Sequence, residues 1–181
     1  MKKIAITQTQ MEYNAVTYDC LDPRWYSFLS PNLVIPVPNL SEIELDVDIL
    51  ILGGGKHSPA RTQCEIKQWT EAIKYEIPVV GVCHGAFFLN YLYDGLNKEV
   101  EGHRNEDHEI ILENEKVMVN SYHDVGIFTL GKELNPISTC VKDGSIEAFK
   151  HETMNIWGIL WHPERMENPV LPSAVREILN V

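Results

Sequence analysis

Val79-Val80-Gly81-Val82-Cys83-His84-Gly85-Ala86-Phe87-Phe88-Leu89-Asn90-Tyr91-Leu92-Tyr93 changes its periodicity at a single point. Val79 to Val82 is a short, continuous apolar run, as expected of a strand buried on both faces. Beyond Gly85 the apolar residues Phe87, Phe88, Tyr91 and Leu92 recur at helical spacing. The junction between them reads G-x-C-x-G, a nucleophile-elbow pattern with Cys in place of Ser. Its glycines let a sharp strand-to-helix turn close without Cβ clashes, which lifts Cys83 clear of the sheet. A thiol placed there faces a helix N-terminus, whose unpaired N–H groups favour the thiolate. On these five residues alone, a buried and inert Cys at a tight turn is the competing reading.

The same alternation extends in both directions from the elbow. Upstream, Lys2 to Thr7 and Asn32 to Pro38 read as strands, the latter at an end or edge because of its two prolines. Tyr18 to Leu29 has helical apolar spacing. Asp48 to Leu52 is a buried-strand run closed by Gly53-Gly54-Gly55, and a helix is predicted from Ala60 to Glu76 with Ile66, Trp69 and Ile73 as its apolar stripe. Downstream, the predicted strands are His108 to Leu112, Lys116 to Ser121, Ile137 to Lys142, Ile146 to His151 and Ile156 to Trp161. Turns fall at Asn114 and at Asp143-Gly144. A last helix, Pro172 to Asn180, presents Val175, Ile178 and Leu179. The expectation is an α/β fold with a central, mostly parallel sheet between helices, followed by antiparallel strands in the C-terminal half. With no repeat, low-complexity tract or linker, residues 1–181 read as a single domain.

Composition narrows the function. The 181 residues are 44% hydrophobic and 23% charged, enough for a core and outside the disordered range. A net charge of −11 opposes phosphate backbones and anionic lipid surfaces, so nucleic-acid and membrane partners are not expected and a small-molecule partner is. The acidity is uneven: Glu42, Glu44, Asp46 and Asp48 form one concentration and Lys98 to Lys116 another, and neither contains Cys83 or His162. The excess therefore reads as a solvated face, with Lys56, Arg104 and Arg165 available to make a pocket locally positive. No apolar stretch is long enough to span a bilayer and the N-terminus turns polar early, so a cytoplasmic location is expected. The cysteines lack a CxxC pair; Cys20, Cys64 and Cys140 read as unreactive thiols.

A thiol nucleophile needs a base. His162, in Trp161-His162-Pro163-Glu164, would emerge at the C-terminal edge of the last strand, where open α/β sheets build their sites. Glu164 could accept a hydrogen bond from one ring nitrogen and leave the other facing sulfur, giving a Cys83, His162, Glu164 triad. A surface His in a Pro-bearing loop is the alternative. His103 and His108 are spaced by five, with no carboxylate or cysteine framework evident around them in the sequence, and no metal or other cofactor is assigned.

Five motifs in order carry a resemblance: Leu52-Gly53-Gly54-Gly55 with Pro59, Gly81 to Gly85, Val119-Asn120-Ser121-Tyr122-His123, Asp143-Gly144-Ser145-Ile146-Glu147-Ala148, and Trp161 to Arg165. With these the chain resembles class I glutamine amidotransferases, and more closely their γ-glutamyl hydrolase branch, which includes γ-glutamyl-γ-aminobutyrate hydrolases. The resemblance implies a flavodoxin-like three-layer sandwich. It implies that Cys83 attacks a γ-glutamyl amide, that His162 passes the proton to the leaving amine, and that a γ-glutamyl thioester is then hydrolysed to glutamate. It also implies an oxyanion hole from the N–H groups of Gly54 or Gly55 and of His84. Ser121, Tyr122 and His123 become candidates for holding the glutamyl head, with Arg165 and Glu147 near the site. Gly102-His103-Arg104 and His108 resemble a segment found near the active site in this branch. One departure is Phe87, where many glutaminases of the family carry Gln. The expected function is hydrolysis of a small γ-glutamyl metabolite, with sugar, nucleotide or capsule biosynthesis among its settings. The alternative is a glutaminase subunit feeding ammonia to a separate synthase partner, since 181 residues leave no room for a synthase domain.

Overall fold

Ile4 and Ile6 pack on one side of the sheet and Ala5 on the other, and the same alternation separates Ile49 and Ile51 from Leu50 and Leu52, and Val80 and Val82 from Val79. Strands buried on both faces need cover on both. The computed structural model describes residues 1–39 and 46–181. Its elements are β1 (Lys3–Thr7), β2 (Thr9–Tyr13), β3 (Val16–Cys20), α1 (Arg24–Phe28), β4 (Leu33–Val37), β5 (Ile49–Leu52), α2 (Pro59–Lys74), β6 (Val79–Val82), α3 (His84–Leu92), β7 (Leu96–Glu99), β8 (His108–Leu112), β9 (Glu115–Val119), β10 (Val125–Thr129), β11 (Leu134–Cys140), β12 (Ile146–His151), β13 (Ile156–Ile159) and α4 (Ser173–Leu179). Trp25 and Leu29, at α1, and Val175 and Leu179 of α4 share one core with the sheet; Cys64 and Ala72 of α2 and Ala86, Phe88 and Leu89 of α3 share the other. The result is the expected three-layer α/β arrangement.

The main sheet runs β4-β1-β5-β6-β13-β12-β11-β8-β9. Neighbours from β4 through β13 are parallel, and those from β13 to β9 are antiparallel. The Pro-bearing β4 lies at an edge, where its missing N–H breaks no ladder. Hairpin turns close at Glu113-Asn114, both with positive φ, and in the Asp143-Gly144 segment. Among the described residues no helix is long and apolar enough to cross a membrane.

Three expectations need correction. The span Tyr18 to Leu29 is not one helix: Val16–Cys20 is a strand paired with Thr9–Tyr13 across Asn14-Ala15, and helix occupies only Arg24–Phe28. Pro23 explains the late start, because it biases Asp22 before it away from helical geometry. On α2 the fully buried face is Arg61, Cys64, Glu65, Gln68 and Ala72, whereas Ile66 is 43% exposed and Trp69 and Ile73 pack only at the margin. Strands β7 and β10, absent from the sequence reading, pair with each other, and β10 also pairs with β12. Of the acidic stretch before β5, Glu42 and Glu44 lie outside the described residues, and exposed Asp46 pairs with Lys3 at 2.6 Å.

Candidate active site

The carboxyl ends of three adjacent parallel strands meet at one edge. Gly53-Gly54-Gly55 follows β5, Cys83 follows β6, and His162 stands shortly after β13. Open parallel sheets concentrate their sites at this edge because every strand delivers a loop to it.

Cys83 sits at φ 50° and ψ −105°, outside the ordinary regions for a residue with a Cβ. Such a conformation costs on the order of 1–3 kcal/mol and persists only where the surroundings fix it. Here the Cys83 N–H donates to the Ile159 carbonyl at 2.8 Å, while its own carbonyl accepts from Ala86 and Phe87 at 3.0 and 3.1 Å. The turn also needs Gly85, since a Cβ there would run into the Leu52 carbonyl of the neighbouring strand. Cys83 caps α3 without a side-chain hydrogen bond to it, so the first helical N–H groups, that of His84 included, are not taken up by the cap side chain.

His162 is 2% exposed and held at both levels of its structure. Its backbone N–H donates to Asn120 Oδ1, and Asn120 Nδ2 donates to its carbonyl, each at 2.8 Å. Its ring Nδ1 donates to Glu164 Oε1 at 2.6 Å, and Cys83 lies near enough to act on the ring's charge. Burial works against the imidazolium, but Cys83 and Glu164 outweigh it and hold His162 up at about 9. A protonated imidazole beside sulfur is the counter-charge that a thiolate nucleophile requires. Glu164 belongs to a single 3-10 turn, Pro163–Arg165, whose leading proline fixes the backbone between it and His162. Gly54 completes this corner: a Cβ at that position would overlap the His162 ring.

Behind the glycine loop lies a charged network that sequence reasoning missed. Arg61, fully buried, donates from Nε to Glu65 Oε1 at 2.9 Å, from one terminal nitrogen to the carbonyls of Gly54 and Lys56 at 3.2 and 3.3 Å, and from the other to the Gly53 carbonyl. Glu65 Oε1 accepts from the Thr7 hydroxyl at 2.9 Å, and its Oε2 faces His84 Nε2 at 3.1 Å. Burial opposes the charge on Glu65, yet His84 and Arg61 keep its carboxyl below the usual range. The loop after β5 and the residue after Cys83 are thus tied through one ion pair. Ser58 caps this helix, its hydroxyl accepting from the Arg61 N–H at 3.2 Å, but nothing in the sequence signalled that the helix's polar face turns inward.

The thiol opens onto a cavity of about 570 Å³ lined by Gly55, His57, Thr62, His84, Phe87, Phe88, Tyr91, Asn97, Tyr122, His123 and Val125. Among the described residues no carboxylate borders it. Of the other predicted residues, the Tyr122 ring lies 5.6 Å from that of His162 and carries the Arg165 guanidinium 5.1 Å above its face. Arg165 Nε also approaches Glu164 and Asp22, at 3.3 and 3.4 Å. The buried Ser121 hydroxyl donates to the His103 carbonyl. His123 shows the cavity one ring edge, against Phe87, and turns its Nε2 toward Glu147. Lys56 is exposed, and Arg104 is paired with Asp124 at 2.6 Å.

Comparison with known proteins places this geometry in a family. The glutamine amidotransferase class-I profile matches residues 27–179. The γ-glutamyl-CDP-amidate hydrolase of Campylobacter jejuni is 32% identical over 165 residues, 81% of each chain. A glutamine-hydrolyzing GMP synthase subunit from Methanosphaera stadtmanae is 27% identical over 154 residues, 80% of each. Among solved structures, that of PurLQS from Thermotoga maritima superposes with a TM-score of 0.72 at 19% identity, covering 91% of this chain and 89% of that one. Profile, relative and fold agree: the chain belongs to the class-I glutamine amidotransferase family.

Proposed function

We propose that this chain, acting as one catalytic domain over residues 1–181, hydrolyses the γ-glutamyl amide bond of a small metabolite and releases glutamate. The observation that carries the reading is Cys83, strained at the strand-to-helix turn and facing the cavity, with His162 beside it and hydrogen-bonded to Glu164. The Cys83 thiolate attacks the γ-carbonyl, and the oxyanion that forms is met by N–H groups of the Gly54-Gly55 loop and of His84. His162 gives its proton to the departing amine as the C–N bond breaks, leaving a γ-glutamyl thioester. Water then loses a proton to His162 and attacks the thioester; glutamate departs and the thiol is restored. Glu164 holds the ring orientation throughout. Tyr122 and Arg165 stand closest to the triad among the candidates for the glutamyl head, with His123 in the cavity wall and Ser121 buried behind it.

The cavity's size supports a leaving group larger than ammonia. Pockets of roughly 300–1,000 Å³ hold ligands well above a single amino acid, and about 570 Å³ falls inside that range. Phe87 and Phe88 give its walls apolar surface. The Campylobacter relative, named for a γ-glutamyl nucleotide amidate, supports the same substrate class. A glutaminase subunit serving a separate synthase is the second reading, favoured by the relatives named as components of synthases.

The test offers the purified protein glutamine and a panel of γ-glutamyl amides, γ-glutamyl-CDP-amidate included, with glutamate and ammonia both measured. Glutamate released from an amide without ammonia is the expected result. Glutamine turnover that appears only with a partner protein would establish the second reading, and turnover of nothing, with or without a partner, overturns both.

A further inference from the structure

His103, His108, His123 and Glu147 come from four separate places in the chain: the loop after β7, the first residue of β8, the segment between β9 and β10, and β12. All four are buried, at 1%, 7%, 5% and 0% exposure. The carboxylate framework that the sequence did not reveal around His103 and His108 is supplied by folding. Glu147 Oε1 lies 3.4 Å from His103 Nδ1, and its Oε2 lies 3.4 Å from His108 Nε2 and 3.9 Å from His123 Nε2.

These separations decide between two kinds of contact. An N–H···O hydrogen bond spans about 2.7–3.2 Å, and each of the three is longer. Accordingly His103 Nδ1, both nitrogens of His108, His123 Nε2 and Glu147 Oε2 are buried polar atoms without a hydrogen-bond partner. Such atoms are rare in folded proteins and are costly to leave so. Ligand atoms arranged tetrahedrally about a cation at roughly 2.0–2.1 Å stand about 3.3–3.5 Å from one another. The contacts to His103 and His108 match that spacing, and the His123 contact exceeds it by a few tenths of an ångström.

The outer partners point the same way. His103 uses its other nitrogen, Nε2, on Asp143 Oδ2 at 3.0 Å, and His123 donates its Nδ1–H to the Val125 carbonyl at 2.8 Å. Metal-binding histidines are typically held in this manner, with the far nitrogen donating to a carboxylate or a backbone carbonyl and the near one left bare. Asp143 is itself fixed by the Ser145 N–H at 2.9 Å.

We propose that His103, His108, His123 and Glu147 form a four-coordinate site for a divalent transition-metal ion, zinc by its preference for imidazole with carboxylate in a tetrahedral shell. Two triads that share His103, His103-His108-Cys140 and His103-His123-Glu147, each gather their ligand atoms within 4.8 Å; Glu147 joins them, with Oε1 facing His103 and Oε2 facing His108 and His123. With every position filled by protein, the ion is structural. It pins the segments that carry His103 and His123 to the sheet, and the second of these carries Tyr122, the cavity wall against His162. The proposal stands on the fold alone and is independent of the hydrolase reading.

Tag-free protein is assayed for bound metals by mass spectrometry, stripped with a chelator, and titrated with Zn²⁺ by calorimetry and with Co²⁺ by visible absorption. The expected result is one ion per chain, a higher Tm on adding Zn²⁺, and the intense visible bands of four-coordinate Co²⁺. Cys83→Ala keeps all three. Glu147→Gln loses binding, and Asp143→Asn, at a partly exposed position with little risk to the fold, weakens Zn²⁺ about 10–100-fold. Absence of Zn²⁺ binding to the wild type, or equal affinity in wild type, Glu147→Gln and Asp143→Asn, overturns the site. A thiolate-to-Co²⁺ charge-transfer band overturns the carboxylate set in favour of Cys140.

Discussion

Glu164→Gln removes one negative charge from beside His162 while keeping the side chain's size. In the native protein burial lowers the imidazole, and Cys83 and Glu164 more than reverse this, carrying it from 6.5 to about 9. That rise corresponds to about 3 kcal/mol of preference for the imidazolium. An opposite charge in direct contact moves a neighbour by about one to three pH units, so loss of Glu164 should bring the alkaline limb of kcat/KM down by about that much. At pH 7 the rate should fall, but by less than in Cys83→Ala, because the ring loses charge support while the glutamine carbonyl can still accept from Nδ1. The sign for stability follows from the raised value: the contribution is complete below about pH 6.5 and disappears as pH rises through about 9. Wild-type Tm should therefore drop between pH 6.5 and 9.5 more steeply than that of the variant. The assay is a pH–rate profile on a γ-glutamyl amide with thermal melts at the same pH values. An alkaline limb and a melting profile both unchanged in the variant would refute the role given to Glu164, and a loss as complete as that of Cys83→Ala would show that it does more than orient.

Three other outcomes test the same corner, and a fourth tests the network behind it. Cys83→Ala should lower turnover by about 10³-fold or more with the fold intact by circular dichroism. Iodoacetamide at neutral pH should label Cys83 well before Cys64, whose thiol burial pushes up to about 11, with inactivation tracking Cys83 in peptide maps; equal labelling of the two would contradict the site. Gly54→Ala should cost at least about 10²-fold in kcat with little change in Tm, because its Cβ displaces the His162 ring rather than core packing. Glu65→Ala should destabilise by about 3–5 kcal/mol in denaturant melts, since it leaves Arg61 as an unpaired buried charge; a loss under about 1 kcal/mol would show that the loop's carbonyls suffice for Arg61.

The parts legible in the sequence are those whose local pattern and tertiary role coincide. β5 and β6 are apolar throughout because both faces are covered, and the glycine-flanked cysteine between β6 and α3 announces a turn that only those residues can make. The β2–β3 hairpin was hidden for the opposite reason. Its strands are largely solvent-exposed and pair only with each other, so Met11, Tyr13, Val16 and Tyr18 stay in water and show no buried face to read. β7 is exposed along its whole length and exists through pairing with β10, a partner remote in sequence.

The face of α2 is the more instructive failure. Periodicity assigns the core to the apolar stripe, and by that rule Ile66, Trp69 and Ile73 should point inward. Instead Arg61, Glu65 and Gln68 do, at 0% exposure, and Ile66 is left in solvent. Burying an arginine and a glutamate is unfavourable unless every polar atom gains a partner, and a helix with ordinary packing would have no cause to choose that face. The cause lies in what the pair holds: the carbonyls of Gly53, Gly54 and Lys56 on one side and His84 on the other, the two loops flanking Cys83. A glycine loop has no side chains with which to pack, so its backbone must be fixed by donors reaching in from outside. A guanidinium, with five donors in a rigid fork, can bind three carbonyls and a carboxylate at once, which no apolar side chain can do. The inverted helix therefore has its explanation in the loops it serves. Where the backbone near the thiol cannot be held by core packing, buried polar groups hold it, and a hydrophobic reading of the sequence fails at those positions.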